Sequence, residues 1–151
     1  MPFFETKNLG RITYEAGAAI EFPCGLPGFE NRRKFLIVRF PHTDPLLFLQ
    51  SLEDPSLCFV TLPTRSVEPQ YRLKVCEDDL RSLGLPASRQ PRIGEDVLCL
   101  AVLTLREKGP TANLLAPVLV NVRDMKAVQA VAPESGYSHQ HILLSEMGPS
   151  C

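Results

Sequence analysis

The sequence has no excess of positive charge, since 16 lysines and arginines are matched by 17 aspartates and glutamates and the formal net charge is -1. A nucleic-acid-binding protein usually carries a basic patch or stripe, so direct nucleic-acid binding is not expected. No apolar run approaches the roughly 18 residues of a membrane-spanning helix. The N-terminus also lacks the basic start and apolar stretch of a signal peptide. The sequence therefore predicts a cytoplasmic protein that does not enter the membrane.

Closely spaced cysteines are also lacking. The five cysteines, at positions 24, 58, 76, 99 and 151, are odd in number and far apart in the sequence. Zinc sites place cysteines about two to four residues apart, and disulfide frameworks use even numbers. Neither a zinc site nor a disulfide framework is predicted. Cys58 and Cys99 lie within apolar runs, which indicates small buried side chains.

Patterns typical of catalysis or cofactor binding are missing as well. The glycines of Phe22–Phe29 are not spaced as a phosphate-binding loop, and no Lys-Ser/Thr pair or helix follows them. An enzyme could combine Cys24 or Cys151 with His139 or His141. The two histidines would share one face of a strand, but no third metal ligand accompanies them. We therefore predict a protein that is not an enzyme and holds no cofactor or metal.

The chain does contain many short apolar or alternating segments separated by turns. These predict about eight strands, with segments at residues 10–14, 18–22, 34–40, 46–52, 57–62, 71–75, 95–105 and 125–132. The first two segments suggest a hairpin, as do the fourth and fifth. One short helix is predicted near residues 77–84, because acids begin it, leucines follow three apart and a glycine ends it.

Such strand spacing predicts an all-β, mainly antiparallel domain, either a small barrel or a sandwich. A chain of 151 residues is long enough to bury one core without disulfides or metal. A single domain is expected over residues 1–144. Residues 145–151 are small and polar, which indicates a disordered tail.

The stretch Pro110–Asn121 contains five aliphatic residues interrupted by Pro117. Proline removes a donor from the strand ladder, so an edge or kinked strand is predicted rather than a central one. An unpaired edge could receive a partner. Asn113 and Asn121, near the two ends, could contact that partner or bond to the local backbone, and the sequence leaves both alternatives open.

Taken together and in order, several of these segments resemble the flagellar assembly factor FliW family. The resemblance spans about residues 10–144 and is carried by Phe22–Phe29, Leu49-Gln50-Ser51, Thr111–Val118, Asn121, Gln129 and Tyr137-Ser138. Each motif alone is weak, but their order and separations are specific.

The resemblance implies a β-barrel-like, chaperone-like protein that binds CsrA, a small RNA-binding translational regulator. Binding would relieve the repression of flagellin mRNA by CsrA. The resemblance also implies binding of flagellin, which would compete with CsrA and so couple flagellin synthesis to assembly. A monomer is the default expectation for one such domain.

Contact with a partner is predicted where polar side chains interrupt apolar edge strands. The predicted contact residues are Leu49, Gln50, Ser51, Thr111, Asn113, Leu114, Pro117 and Asn121. Because CsrA must be basic to hold RNA, acidic side chains are candidates for steering it. These are Glu53, Asp54, Glu77, Asp78 and Asp79, with Glu95 and Asp96 as further candidates. Local capping and solvation are the alternative roles of these acids.

The sequence leaves two alternative functions. An RNA-binding barrel would need a basic groove interleaved with exposed aromatics, whereas the arginines and lysines of this chain are scattered among acids. A small flavin-binding barrel is the second alternative, and it would give a coloured preparation.

Overall fold

The computed structural model describes residues 2–143 of the chain. Within these residues there are eleven strands and two short α-helices. The strands are β1 (Phe3–Glu5), β2 (Arg11–Thr13), β3 (Ile20–Glu21), β4 (Lys34–Val38), β5 (Leu47–Ser51), β6 (Cys58–Pro63), β7 (Leu98–Arg106), β8 (Gly109–Ala112), β9 (Val118–Asn121), β10 (Lys126–Gln129) and β11 (His141–Ile142). The helices are α1 (Thr64–Val67) and α2 (Glu77–Leu83). The tail predicted at 145–151 lies outside the described residues.

Seven strands form a closed barrel. Their order is β7, β6, β5, β4, β3, β10 and β9, and β9 pairs back onto β7. Neighbouring strands are antiparallel except β3 and β10, which are parallel. β8 and β11 extend the sheet beyond β7, while β1 and β2 form a separate hairpin. The predicted all-β, mainly antiparallel barrel is confirmed.

Two hydrophobic cores lie on opposite sides of the same strands. The barrel interior is filled by side chains such as Phe35, Leu49 and Leu100. Residues 64–97, which include both helices, pack over the outer face of β7, β9 and β10 and form the second core. Because strand side chains alternate, Leu119 belongs to the outer core and its neighbours on either side belong to the barrel.

The helix near residues 77–84 is confirmed as α2. Its leucines, Leu80 and Leu83, are 2% and 0% exposed and pack in the outer core. Gly84 ends the helix in the left-handed conformation, with φ of 75°, and its N–H bonds to the carbonyls of the last turn. The four-residue helix α1, directly after β6, was not predicted.

The hairpin predicted over residues 10–22 was wrong. β2 pairs with β1, at the N-terminus, instead of with the strand that follows it. Residues Ala16–Ala18 form a 3-10 turn between β2 and β3, and β3 pairs with β4 and β10. The three-residue strand β1 is too short to show a periodic pattern, so the sequence offered no sign of the true partner.

The strand predicted at residues 71–75 was also wrong, although its alternation of burial is present. Tyr71 and Val75 are buried, whereas the two basic residues between them are exposed. No strand within residues 2–143 pairs with this segment. Instead, the Gln90 side chain accepts the Val75 N–H at 2.7 Å and donates to its carbonyl at 3.0 Å. An amide side chain thus takes the place of a neighbouring strand.

The stretch Pro110–Asn121 is kinked, but it is not an unpaired edge. It divides into β8 and β9, separated by residues 113–117. β8 pairs with β7 and β11, and β9 pairs with β7 and β10. Pro117 falls in the break, where its missing N–H costs no ladder bond and its carbonyl accepts the Ala130 N–H at 2.9 Å. Both strands of the predicted free edge are therefore paired on each side, β9 within the barrel and β8 between β7 and β11.

Candidate partner-binding surface

β5 carries the first predicted contact segment, and its three side chains are buried. Leu49 is 1% exposed and packs in the barrel, while Gln50 and Ser51 are fully buried. The Gln50 Nε2 donates to the carbonyl of Ser51 at 3.0 Å and to those of Asp54 and Pro55 at 3.4 Å. The Ser51 hydroxyl accepts two backbone N–H groups of the same turn. Both polar side chains therefore hold the turn between β5 and β6.

The second predicted segment joins β8 to β9. Thr111, Leu114 and Pro117 are buried. Asn113 is half-buried, and its Oδ1 accepts the backbone N–H groups two and three residues ahead at 3.1 and 2.9 Å. This is the local backbone role that Asn commonly plays in turns.

Asn121 fastens α2 to the turn after β9. It is 2% exposed, and its Nδ2 donates to the carbonyl of Leu83 at 2.8 Å and to the Asp124 carboxylate at 3.2 Å. Its Oδ1 accepts the backbone N–H groups of Arg123 and Asp124 at 3.1 and 3.4 Å. The amide is thus fully used within the fold.

Of the eight predicted contact residues, only Asn113 retains partial exposure. A partner that docks on the folded chain could touch it directly. Contact with the other seven stays a prediction that requires local opening, and a partner that docks on the folded chain would meet the surfaces beside these segments.

Three of the stretches singled out in the sequence meet at one end of the barrel. Residues 22–29 form a turn rich in proline and glycine, which we call the covering turn. Its residues Leu26–Phe29 cover this end of the barrel, which we call the barrel mouth. A recess of about 60 Å³ lies there, lined mainly by Leu26, Pro27, Phe29, Leu49, Val118 and Gln129. The Gln129 Nε2 also donates to the carbonyl of Ala116 at 3.0 Å. The mouth therefore joins the turn, β5, β9 and β10 in one place.

The covering turn is held by a buried phenylalanine on one side and leaves another at the surface. Phe22 is 0% exposed, and its ring packs edge-on against the ring of Phe35, with the two ring centroids 5.2 Å apart. Phe29 is 39% exposed, and its ring packs edge-on against the ring of Phe59, with the two ring centroids 5.6 Å apart. Gly25 makes the turn possible, because its φ is +69° and an added Cβ would lie 2.6 Å from the Glu30 backbone.

A model of the FliW protein family matches residues 4–143, which is almost the whole described chain. The chain belongs to the FliW family. The FliW of Bacillus velezensis is 33% identical over 92% of this chain and 94% of its own length. The FliW of Syntrophomonas wolfei is 30% identical over 88% of this chain and 83% of its own. Both relatives carry the name flagellar assembly factor FliW.

A crystal structure of the flagellar assembly factor FliW has the same fold. It superposes with a TM-score of 0.82 at 28% sequence identity, over 96% of this chain and 99% of that one. The FliW resemblance seen in the sequence is confirmed. The barrel mouth is therefore a feature of a chain that belongs to a family of flagellar assembly factors.

Two acids of this FliW chain that were predicted to steer a partner, Glu53 and Asp54, are engaged locally. The Glu53 carboxylate accepts hydrogen bonds from the backbone N–H groups of Lys34 and of the residue before it. The bond from the Lys34 N–H is the main cause of the lowered pKa of Glu53. The Ser56 hydroxyl chiefly lowers the pKa of Asp54, which also lies 3.8 Å from the Arg32 guanidinium. Both acids stay charged at neutral pH, but adjacent basic residues offset them.

The acids of α2 leave a net negative charge. Glu77 and Asp78 pair with Arg81 at 2.8 and 3.2 Å, and Asp79 has no ion pair among the described residues. Three acids against one arginine give an excess of two negative charges. These exposed pairs contribute little stability, so the surplus charge is available to a partner.

This acidic turn lies at the same end of the barrel as the mouth. Cys76, the residue before α2, lines a recess of about 260 Å³ together with residues 131–134. Those residues directly follow β10, whose last residue, Gln129, lines the mouth. The mouth and the acidic turn are therefore linked by one short stretch of chain.

A larger open groove of about 530 Å³ lies on the outer face of β5 and β6. Its apolar lining includes Leu9, Phe40, Phe48, Cys58 and Val60. Burial raises the pKa of the Cys58 thiol. Sequence reasoning missed this groove, although a signal was present: Phe48 and Val60 alternate with core residues and pair across the two strands, so both had to face outward.

The residues proposed for an enzyme alternative come from different segments of the chain. Cys24 is exposed in the covering turn, His141 lies on β11, and His139 precedes it on the surface. Cys151 lies outside the described residues. Between residues 2 and 143, no three His, Cys, Asp or Glu side chains gather as metal ligands. No helix in that range has the length and apolar character needed to cross a membrane.

Proposed function

We propose that this chain couples flagellin supply to flagellar assembly by partner switching in the cytoplasm. As a monomer it binds CsrA and relieves the repression of flagellin mRNA. Flagellin that accumulates takes the chain away from CsrA, and repression resumes. The proposal rests on family membership over almost the full described chain, together with relatives that are named flagellar assembly factors.

The barrel mouth is the surface we assign to CsrA. It gathers three of the stretches that carry the family resemblance, and it presents the only large aromatic side chain of the covering turn that is partly exposed, Phe29. Partly exposed aromatic residues in well-packed surroundings are frequent anchors of protein interfaces. Asn113 and the adjoining loop lie next to the mouth through the Gln129 bond to Ala116.

Charge supports the same choice of surface. A regulator that holds RNA is basic, and the two surplus negative charges on α2 lie at the mouth's end of the barrel. Complementary charges raise the rate of encounter more than they raise affinity. We therefore expect the α2 acids to affect the association rate and its salt dependence, and Phe29 to affect dissociation.

Calorimetric titration against CsrA from the same organism, with and without bound flagellin, tests the function. Binding that flagellin abolishes is the expected result. Absence of CsrA binding would refute the antagonist role. In a gel-shift assay, the chain alone should leave RNA unshifted.

A pair of phenylalanine variants tests the surface. Phe29→Ala should weaken CsrA binding about three- to tenfold, since completing the burial of a 39% exposed ring contributes about 1 kcal/mol. Phe3→Ala, on β1, removes a ring that is 54% exposed away from the mouth and should leave the affinity unchanged. Equal affinities of the two variants would place the CsrA site elsewhere.

A further inference from the structure

A second groove, outside the barrel mouth, carries arginines. It has a volume of about 500 Å³ and is lined by Arg65, Arg72, Arg92 and Glu95 around Leu73, Pro91 and Ile93. α1 supplies Arg65, and the other residues come from the segment that covers the outer core. The chain as a whole is slightly acidic, so this local excess of positive charge stands apart.

Two of the three arginines are not neutralised. Arg92 pairs with Glu95 at 2.8 Å and lies 3.5 Å from the Asp96 carboxylate. Arg65 and Arg72 form no ion pair with any residue from 2 to 143.

The fold orients the guanidinium of one unpaired arginine and the backbone of the other. The Arg65 guanidinium is oriented by the carbonyl of Tyr71, at 3.3 and 3.4 Å from two of its nitrogens. The backbone N–H of Arg72 donates to the Tyr137 hydroxyl at 3.0 Å. The oriented guanidinium of Arg65 loses less entropy when it binds a carboxylate, whereas for Arg72 the fold holds the backbone and leaves the side chain free.

From these observations we infer that the groove binds an acidic peptide segment of a partner protein. Carboxylates of the segment pair with Arg65 and Arg72, since a guanidinium fork matches a carboxylate in a bidentate geometry. An apolar side chain between the carboxylates rests on Leu73, Pro91 and Ile93. This surface is basic, so it selects an acidic partner segment, whereas the acidic turn of α2 selects a basic one.

A peptide fits the groove better than RNA does. Single-stranded nucleic acids need aromatic platforms for base stacking along a basic groove. The residues lining this groove include no aromatic side chain on which a base could stack. Aliphatic residues between two free arginines instead match alternating apolar and acidic side chains.

Fluorescence anisotropy with a labelled synthetic peptide of alternating glutamate and leucine tests the inference. We expect binding that weakens as salt is raised. Arg72→Gln should lower the affinity about three- to tenfold, and the double variant with Arg65→Gln by about tenfold or more. Arg123→Gln is the matched control, for which no change is expected, because Arg123 is exposed, does not line the groove and forms no ion pair within residues 2–143.

Several results would overturn the inference. These are no binding of the acidic peptide, equal binding of a lysine and leucine peptide, or a loss in Arg123→Gln as large as in Arg72→Gln. Binding of a single-stranded RNA probe that depends on Arg65 and Arg72 would assign the groove to nucleic acid instead. Arg72→Gln removes a guanidinium that has no hydrogen bond with residues 2–143, so its thermal unfolding should match wild type and keep the comparison valid.

Discussion

Replacing Asn121 by alanine separates a structural role of this side chain from a role in partner contact. The substitution removes four hydrogen bonds, of which the two shortest are the 2.8 Å bond to the Leu83 carbonyl and the 3.1 Å bond from the Arg123 N–H. Each typical bond contributes a net of about 0.5–1.5 kcal/mol, and the buried Leu83 carbonyl would lose its donor. We expect the free energy of unfolding to fall by about 2–4 kcal/mol.

Thermal and urea unfolding measure this loss. For a domain of this size, Tm should fall by about 5–15 °C. Asn31→Ala is the control, because Asn31 is exposed and its side chain makes no hydrogen bond with the described residues. Its stability should change by less than about 0.5 kcal/mol. If Asn121→Ala kept full stability but lost affinity for CsrA, the structural assignment would be refuted and the direct-contact prediction restored.

Two further predictions concern the covering turn and the charge around it. Gly25→Ala should destabilise the chain and lower CsrA affinity at the mouth, because its Cβ would clash with the Glu30 backbone, and circular dichroism melts with titration would detect both effects. The Lys34 N–H lowers the pKa of Glu53 in the folded chain, so Glu53 stabilises the fold above its ordinary pKa of 4.5 and this contribution is lost as the pH falls through the lowered value. Glu53→Gln should therefore reduce the difference in Tm between neutral and acidic solution, and an unchanged difference would contradict the assignment.

The elements that sequence predicted correctly are those whose signal is local. The acids, leucines and closing glycine of α2 determine a helix without reference to the rest of the chain. The β5–β6 hairpin follows from two apolar runs joined by a short turn. Where pairing depends on distant residues, the sequence failed: β2 finds its partner at the N-terminus, and Val75 finds its partner in the Gln90 side chain.

The sequence singled out the stretches that form the candidate site, but not how they are arranged. The turn at residues 22–29, β5 and the stretch before β9 were singled out, and the structure brings them together at the mouth. Their polar side chains were expected to face a partner, yet Gln50 and Asn121 satisfy buried backbone groups. Sequence cannot distinguish these roles, because an amide that interrupts an apolar run serves equally as an internal brace or as a contact.

The sharing of β7, β9 and β10 by two cores has a consequence for how the molecule unfolds. Val118 and Val120 belong to one core and Leu119 to the other, so a strand cannot leave one core without leaving both. The barrel and the segment that covers it are therefore expected to melt in a single calorimetric transition. A displacement of these strands that is caused on one face also shifts the side chains on the other face. The outer segment and the barrel interior are therefore mechanically coupled.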